Sequence, residues 1–290
     1  MHDFEIVTDS TCDLPPETIS ELGVTMVPLS VTFGTTTYLD QVDITPERFY
    51  DLMESTPELP HSSQPSPEAF SDAYHDLVDA GARRILVLTI NQELSGTVNS
   101  ARLGADGVDA DVVVYDTHVA AMSHGMMVRE AAAMRDAGET IEAVVAHLDI
   151  YRAHIQSLFV PQTLENLIKN GRCTRAAGFA SSLLDIKVQL ALDENGAIVP
   201  VHKAKGMHRA FSYIVKAIQE ADGADAHVVA TFHQVRNRPG CERLLEQMRK
   251  AGLTVDVLAT TDLGPVIATH TGIGLVAVGA IPIEYTYGAR

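Results

Sequence analysis

The stretch that decides the fold is residues 85–97, which read ILVLTINQELSGT. Its first six residues are uncharged and mostly large or branched, as expected of a strand that helices cover on both faces. A polar loop follows, and a helix is predicted to begin at Thr97. A buried strand, a polar loop and a helix form the repeating unit of a parallel α/β sheet, so the stretch predicts that fold class.

The same alternation extends outward through the first half of the chain. Apolar runs at residues 4–8, 24–33 and 112–115 predict further strands. Thr45 and Ser66, each followed by proline, have the pattern of helix N-caps. We therefore expect a three-layer α/β domain with a parallel sheet over residues 1–155.

The second half has a different pattern. Two apolar runs flank the turn Asp193-Glu194-Asn195-Gly196, whose Asn-Gly pair predicts a β-hairpin. A mixed-sheet α/β domain is expected over residues 156–290. Its elements are predicted as follows: helical stretches at residues 119–153 (leading into the domain), 164–168, 176–184, 210–221 and 241–251, and strands at residues 157–160, 186–192, 198–201, 228–232, 255–259 and 275–278. The uncharged residues 264–283 are long enough to span a membrane, but their glycines, two prolines and His270 favour buried strand and loop instead.

Composition excludes several classes of function. The chain has 290 residues, with 21 Lys plus Arg against 38 Asp plus Glu, so its net charge of −17 would repel nucleic acid. Three scattered cysteines fit a reducing compartment rather than a disulfide scaffold, and the first residues lack the pattern of a signal peptide, so we expect a cytoplasmic protein. The histidines show no metal-ligand spacing, and no metal site is predicted.

The loop before Thr97 is the first candidate site. It follows the carboxyl end of a predicted parallel strand, where ligands bind, and a helix start offers free N–H groups to an anion. Ser95 could donate a hydrogen bond to a carboxylate or phosphate, or it could simply cap the helix. The Gly-x-Ser-x-Gly elbow of serine hydrolases is absent, so a hydrolase that uses Ser95 with His270 as its base remains only the alternative function.

Three further segments are candidates for the same site. Ser62 and Ser63 lie too far before Ser66 to cap its helix, so they could face a ligand or belong to an ordinary solvated loop. His270 could be a satisfied core histidine or could bind an anion. Arg172 lies in the densest basic cluster and could cap helix carbonyls or bind a carboxylate or phosphate. The loops after residues 9 and 116 should open onto the same sheet edge.

Six motifs occur along the chain in a fixed order: TDSTCDLP (residues 8–15), SSQPS (62–66), LSGT (94–97), TLE (163–165) leading to Gly171-Arg172, the start of the hairpin at Ile186-Lys187, and GPVI (264–267) leading to His270-Thr271-Gly272. In order and spacing they resemble the motifs of the DegV family of bacterial fatty-acid-binding proteins. The resemblance runs nearly from end to end of the chain. Three positions depart from the family pattern: Ser62 stands where threonine is usual, Cys12 where serine is usual, and Ile273 where proline is common.

The resemblance implies that two α/β domains enclose one long-chain fatty acid and that the protein is a carrier without a cofactor. The residues that it places around the carboxylate are Ser62, Ser63, Ser95, Gly96, Thr97, His270 and Thr271. Arg172 would lie near the carboxylate or face a partner. Some members are the FakB-type subunit of bacterial fatty acid kinase, which presents the acid to an ATP-using kinase. The acyl phosphate then enters phospholipid synthesis, which implies transient contact with an acyltransferase or a membrane surface. No phosphate-binding Gly-x-x-x-x-Gly-Lys-Ser/Thr motif is present, so phosphoryl transfer would require a separate kinase.

Overall fold

The structure is a computed structural model that describes residues 2–173 and 185–288. Its strands are β1 (Glu5–Asp9), β2 (Val24–Val27), β3 (Ser30–Phe33), β4 (Thr36–Leu39), β5 (His61–Ser63), β6 (Arg84–Thr89), β7 (Asp111–Asp116), β8 (Gln156–Val160), β9 (Ile186–Leu192), β10 (Ile198–Lys205), β11 (His227–Gln234), β12 (Thr254–Asp262) and β13 (Val276–Pro282). Its α-helices are α1 (Pro16–Glu21), α2 (Pro46–Ser55), α3 (Pro67–Asp79), α4 (Thr97–Gly104), α5 (Met122–Asp136), α6 (Ile141–His154), α7 (Glu165–Lys169), α8 (Met207–Asp222), α9 (Arg238–Lys250) and α10 (Pro265–Thr271).

The first half contains the predicted parallel sheet, in the order β2-β1-β6-β7. Neighbouring residues of its central strands point to opposite faces. Leu86 and Leu88 pack against α5 and α6, whereas Ile85 and Val87 pack against α3 and α4. Helices therefore cover β6 on both faces, and the prediction of a three-layer α/β arrangement is confirmed.

The second half contains the predicted mixed sheet, in the order β10-β9-β8-β13-β11-β12. Among the described strands of this sheet, only the β11–β12 pair is parallel, and β9 and β10 form the expected antiparallel hairpin. One face carries Phe232 and Val278, which pack against α8 and α9. The opposite face carries Phe159, Ala277 and His233, which are register neighbours on three adjacent strands and face the first half.

A third, antiparallel sheet with the order β4-β3-β5 was not predicted. The run 24–33 was expected to be one strand, but it is divided between β2 of the parallel sheet and β3 of the small one. Pro28 lies between them and cannot donate a backbone hydrogen bond to a sheet. The small sheet and α2 pack on α10 through Phe33, Phe49 and Val266, so this part of the first half contacts the second half.

Residues 265–271 were expected to be strand or loop and are instead helix α10. The helix is buried or half-buried along its whole length, so it lacks the polar face that reveals a helix in a sequence. The predicted helical stretch at residues 119–153 is two helices, because the chain turns at Gly138 and Thr140 caps α6.

The helix predicted at residues 176–184 lies outside the described residues, and the domain boundary near residue 155 stays a prediction. Across residues 2–173 and 185–288, no helix is long and apolar enough to cross a membrane.

Candidate ligand-binding site

A cavity of about 380 Å³ lies between the inner face of the six-stranded sheet and the carboxyl ends of the parallel strands. This volume is in the range of small-molecule sites. Large apolar side chains form most of its wall: Leu29, Ile90, Leu94, Phe159, Leu167, Leu192, Ile198, Leu263, Val266, Ile267 and Leu275. A ligand that fills the cavity must therefore be largely apolar.

Most of the predicted site residues meet at this cavity. The lining includes Ser62, Ser63, Ser95, Arg172, His270 and Thr271. Gly96 and Thr97 are not among the lining residues, and Thr97 is fully buried behind the wall. The hydroxyl, imidazole and guanidinium groups thus come together at the cavity. The start of α4 lies behind the cavity wall and does not line it.

The closest polar contact among these residues joins Ser62 of β5 to His270 in the last turn of α10. Ser62 Oγ lies 2.7 Å from His270 Nε2, although the residues are 208 positions apart. Burial, with smaller contributions from the nearby Arg172 and His61 side chains, lowers the pKa of His270 to about 3. His270 is therefore neutral at pH 7. Its Nδ1 atom is buried and has no hydrogen-bond partner among the described residues.

Ser95 does not cap α4, which was the alternative role considered for it. The N-cap position is Gly96, and no side chain accepts from the first turn. Ser95 Oγ lies 2.8 Å from Thr97 Oγ1 and faces the cavity. The hydroxyl is therefore available to a ligand.

Gln64 keeps the Ser62 and Ser95 segments side by side, and it was missing from the predicted site. Its amide Nε2 donates to Ser100 Oγ at 2.9 Å, and its Oε1 atom packs so closely on Gly96 that a Cβ there would overlap it. Gly96 thus allows the two hydroxyl-bearing segments to approach. The position of Gln64 inside the SSQPS motif was the signal that could have identified it.

Arg172 lies at the edge of the cavity and holds two carbonyls. Its Nη1 atom donates to Asn170 O at 2.7 Å and its Nε atom to Leu94 O at 3.3 Å. It therefore caps its own turn, as the simpler interpretation proposed, and it also places a positive charge beside the Ser95 loop. The residue is largely exposed.

Two buried amides tie this turn to α10, and no sequence pattern pointed to them. Asn166 and Asn170 both donate to the carbonyl of Thr269, at 3.1 and 3.2 Å. Because Thr269 precedes His270, the two amides hold the imidazole and Arg172 at the same end of the cavity.

The loops after β1 and β7 converge on the same sheet edge, as predicted, but their aspartates bond backbone amides instead of lining the cavity. Asp9 accepts from the Ile90 amide at 2.7 Å, and Asp116 accepts from the Gln92 amide at 3.3 Å. Neither aspartate lines the cavity. Their carboxylates stabilise the turn that leads to Ser95.

Buried carboxyl groups also support the start of α10. Asp13 accepts from the Gly264 amide at 3.1 Å, and Asp40 accepts from the Ser10 hydroxyl at 2.7 Å. Burial, reinforced by Asp40, raises the pKa of Asp13 well above its ordinary value. Burial also raises the pKa of Asp40 to about 7. One Oδ atom of each has no partner among the described residues.

The arrangement does not support the alternative serine hydrolase. Ser95 pairs with Thr97, whereas His270 pairs with Ser62. A histidine with a pKa near 3 is a poor general base at neutral pH, and no carboxylate among the described residues orients its Nδ1 atom. Within residues 2–173 and 185–288, no three His, Cys, Asp or Glu side chains form a group that could hold a metal ion.

Comparisons with known proteins agree with this architecture. The family model described as "Uncharacterised protein, DegV family" matches residues 3–283. A DegV domain-containing protein of Halalkalibacterium halodurans is 32% identical over 279 residues, which cover 96% of this chain and 98% of that protein.

Two solved structures extend the comparison to three dimensions. A Thermus thermophilus DegV family protein described by its fatty acid binding has a TM-score of 0.90 and 34% identity, and the match covers 97% of this chain and 100% of that chain. A Thermotoga maritima protein, described as revealing a fatty acid binding function, has a TM-score of 0.86 and 30% identity, with 97% and 100% coverage.

Proposed function

The chain belongs to the DegV family, and from that premise we propose that it binds one long-chain fatty acid in the cavity between its two halves. We further propose that it presents the carboxylate to a separate ATP-using kinase, which forms the acyl phosphate used for phospholipid synthesis. The observation that carries the binding proposal is the Ser62–His270 pair at the wall of a mostly apolar cavity.

The apolar wall supplies most of the affinity in this proposal. Burying an alkyl chain contributes about 0.8 kcal/mol per CH₂ group, so a long tail needs few polar contacts to bind tightly. Leucine, isoleucine and valine side chains from both halves line the cavity. A short or strongly polar acid would leave much of this wall uncovered.

The polar end would hold the carboxylate without neutralising it. A buried carboxylate needs hydrogen-bond donors, and the hydroxyls of Ser62 and Ser95 can supply them. Neutral His270 can donate from Nε2 to Ser62, which frees the Ser62 proton for the carboxylate. Its Nδ1 atom then carries a lone pair rather than a buried, unpaired N–H. Arg172 adds a nearby positive charge.

The proposed kinase step needs chemistry from another protein. A carboxylate oxygen would attack the γ-phosphorus of ATP, and the products would be an acyl phosphate and ADP. This transfer requires Mg²⁺ and a nucleotide-binding loop, and the sequence has no phosphate-binding loop motif. The role of this chain would be to hold the carboxylate ionised, with exposed Arg172 beside it at the surface.

Lipid extraction tests the binding proposal directly. Protein purified from a lipid-replete host should release a long-chain fatty acid, detected by mass spectrometry, in near-stoichiometric amount. Ser95→Ala should weaken binding by about tenfold without loss of folding, because one donor to the carboxylate is removed. Ser212→Ala, an exposed serine of α8, is the matched control. A protein that neither carries nor takes up fatty acid would refute the proposal.

Reconstitution tests the kinase proposal separately. Acyl phosphate should form from ATP only when a cognate fatty acid kinase is added to the lipid-loaded protein. If the loaded protein gives no product with any such kinase, presentation to a kinase is wrong, while the binding proposal stands.

A further inference from the structure

The wall of the cavity contains a pair of hydroxyl groups that a plain hydrocarbon tail would not need. Ser157 of β8 and Gly279 of β13 are register neighbours on the inner face of the six-stranded sheet. Ser123, from the first turn of α5, lies over Gly279, where a Cβ would come within 2.6 Å of its Oγ atom. Ser157 Oγ donates to Ser123 Oγ at 2.7 Å, and both serines line the cavity.

The polar groups next to this pair are already satisfied by one another. Thr231 donates to Met126 Sδ, so His233 Nε2–H donates to Thr231 Oγ1 at 3.1 Å, and His233 Nδ1 accepts from Thr261 at 3.2 Å. Burial lowers the pKa of His233 to about 3, which keeps the ring neutral. This network has no donor left for a ligand.

The serine pair, by contrast, keeps unused capacity. Ser157 gives its proton to Ser123, and the Ser123 proton has no acceptor among the described residues, although the side chain is only 4% exposed. The start of α5 beside it has no side-chain cap, so the positive end of the helix dipole adds to the donor character. Ser157 retains lone pairs that can accept. The pair can thus donate one hydrogen bond and accept another.

We infer that the preferred ligand is a long-chain fatty acid with a hydroxyl or keto oxygen along its chain, and that Ser123 and Ser157 bind this oxygen. The inference rests on the proposed fatty acid binding and deepens it. A methylene group placed against the pair would leave the Ser123 donor buried without an acceptor, which is unfavourable. A chain oxygen accepts that proton, and a chain hydroxyl can also donate to Ser157.

The test compares plain and oxygenated acids on delipidated protein. Dissociation constants are measured for stearate and for 7-, 10- and 12-hydroxystearate with wild type, Ser123→Ala, Ser157→Ala and the double variant. Wild type should favour at least one hydroxystearate over stearate. The double variant should bind stearate as well as wild type or better. Its ratio of the stearate to the hydroxystearate dissociation constant should be roughly five- to tenfold smaller than that of wild type.

Other outcomes separate the two proposals. If wild type binds stearate but favours no hydroxystearate, or if the double variant keeps the same preference, the chain-oxygen inference is wrong and fatty acid binding stands. If wild type binds none of the four acids, the proposed function itself fails. Ser212→Ala should leave every constant unchanged, and unaltered melting temperatures show that the alanine variants fold.

Discussion

Two histidines in the wall of the cavity have the same protonation state and different surroundings. Burial lowers the pKa of each to about 3, so both rings are neutral at pH 7. Both ring nitrogens of His233 are hydrogen-bonded, to Thr231 and Thr261. His270 has one partner, Ser62, and its other nitrogen has none among the described residues. Burial therefore controls the charge, while the number of partners distinguishes a structural histidine from one that can serve a ligand.

The two histidines also differ in what holds them. His233 lies on β11, inside the six-stranded sheet, with a strand on each side. His270 lies at the end of a seven-residue helix that is held through the Thr269 carbonyl by Asn166 and Asn170. His233 is thus part of a continuous sheet, whereas the position of His270 depends on a few side-chain contacts.

The largest expected effect is on stability. His233→Ala should lower the free energy of unfolding by about 2–4 kcal/mol, because it opens a cavity and removes the ring that bonds both threonines. Urea unfolding measures the change, and exposed His208→Ala is the control. His270→Ala should cost less than about 1 kcal/mol. Equal losses at the two positions would remove the distinction between them.

The next effect is on binding and has the opposite ranking. His270→Ala should raise the dissociation constant for a long-chain fatty acid by about tenfold, because Ser62 loses the partner that orients its hydroxyl. Displacement of a fluorescent fatty acid measures the constant. His233→Gln should change it by less than about twofold, since the ring has no spare hydrogen-bonding atom. A tenfold loss at His233 would show that its network also serves the ligand.

Acid should reveal the neutral state of both rings. Each folded-state pKa is about 3, below the ordinary value of 6.5, so the stability that each contributes is present above pH 6.5 and is lost as the pH falls toward 3. The unfolding free energy of wild type relative to His233→Gln, measured at intervals from pH 7 to pH 4, should therefore decrease as the pH falls. Identical slopes would mean that His233 is not held neutral by burial.

Asp40, beneath the other end of α10, should give the opposite pH dependence. Its pKa is raised from 3.8 to about 7 by burial, so its contribution is present below pH 3.8 and is lost as the pH rises through 7. The unfolding free energy of wild type relative to Asp40→Asn should therefore decrease as the pH rises from 5 to 8. Asp76→Asn, on the exposed face of α3, should leave the profile of the wild type. A difference between wild type and Asp40→Asn that stays constant or grows as the pH rises would refute the assignment.

The smallest effect is expected at Arg172. The residue is largely exposed, and solvent screens its charge, so Arg172→Gln should weaken fatty acid binding by only about two- to threefold. The difference should shrink as salt is raised. Binding measured at low and high salt, with exposed Arg243→Gln as control, tests this. A tenfold loss that salt does not change would place the guanidinium directly on the carboxylate.

Much of the fold was readable from local pattern. The strand predicted at residues 85–90 forms as β6 (Arg84–Thr89), and the hairpin turn at 193–196 and the caps at Thr45 and Ser66 formed as predicted. Helix α10 and the small sheet were missed. A helix buried on all sides has no alternating polar face, and β5 has only three residues, two of them serines.

Only part of the candidate site could be predicted from the sequence, because local pattern does not reveal contacts between residues that are far apart along the chain. Ser95 and the Ser62 segment were candidates because each lies in a polar loop beside a predicted element, and the resemblance to the DegV family implied that they belong to the site. Asn166, Asn170 and Asp40 gave no comparable signal. Their roles depend on contacts with α10, about a hundred or more residues away along the chain.

The sequence by itself determined the α/β class, the polar loops that gather at one sheet edge, and the uncharged stretch of chain that contains His270. These properties depend on neighbouring residues, where periodicity and turn chemistry act. Only the tertiary structure decided that His270 pairs with Ser62 rather than Ser95, and that Ser123 meets Ser157 in the wall. Such pairs form when two halves of the chain pack together, and the packing of distant surfaces leaves no local pattern in the sequence.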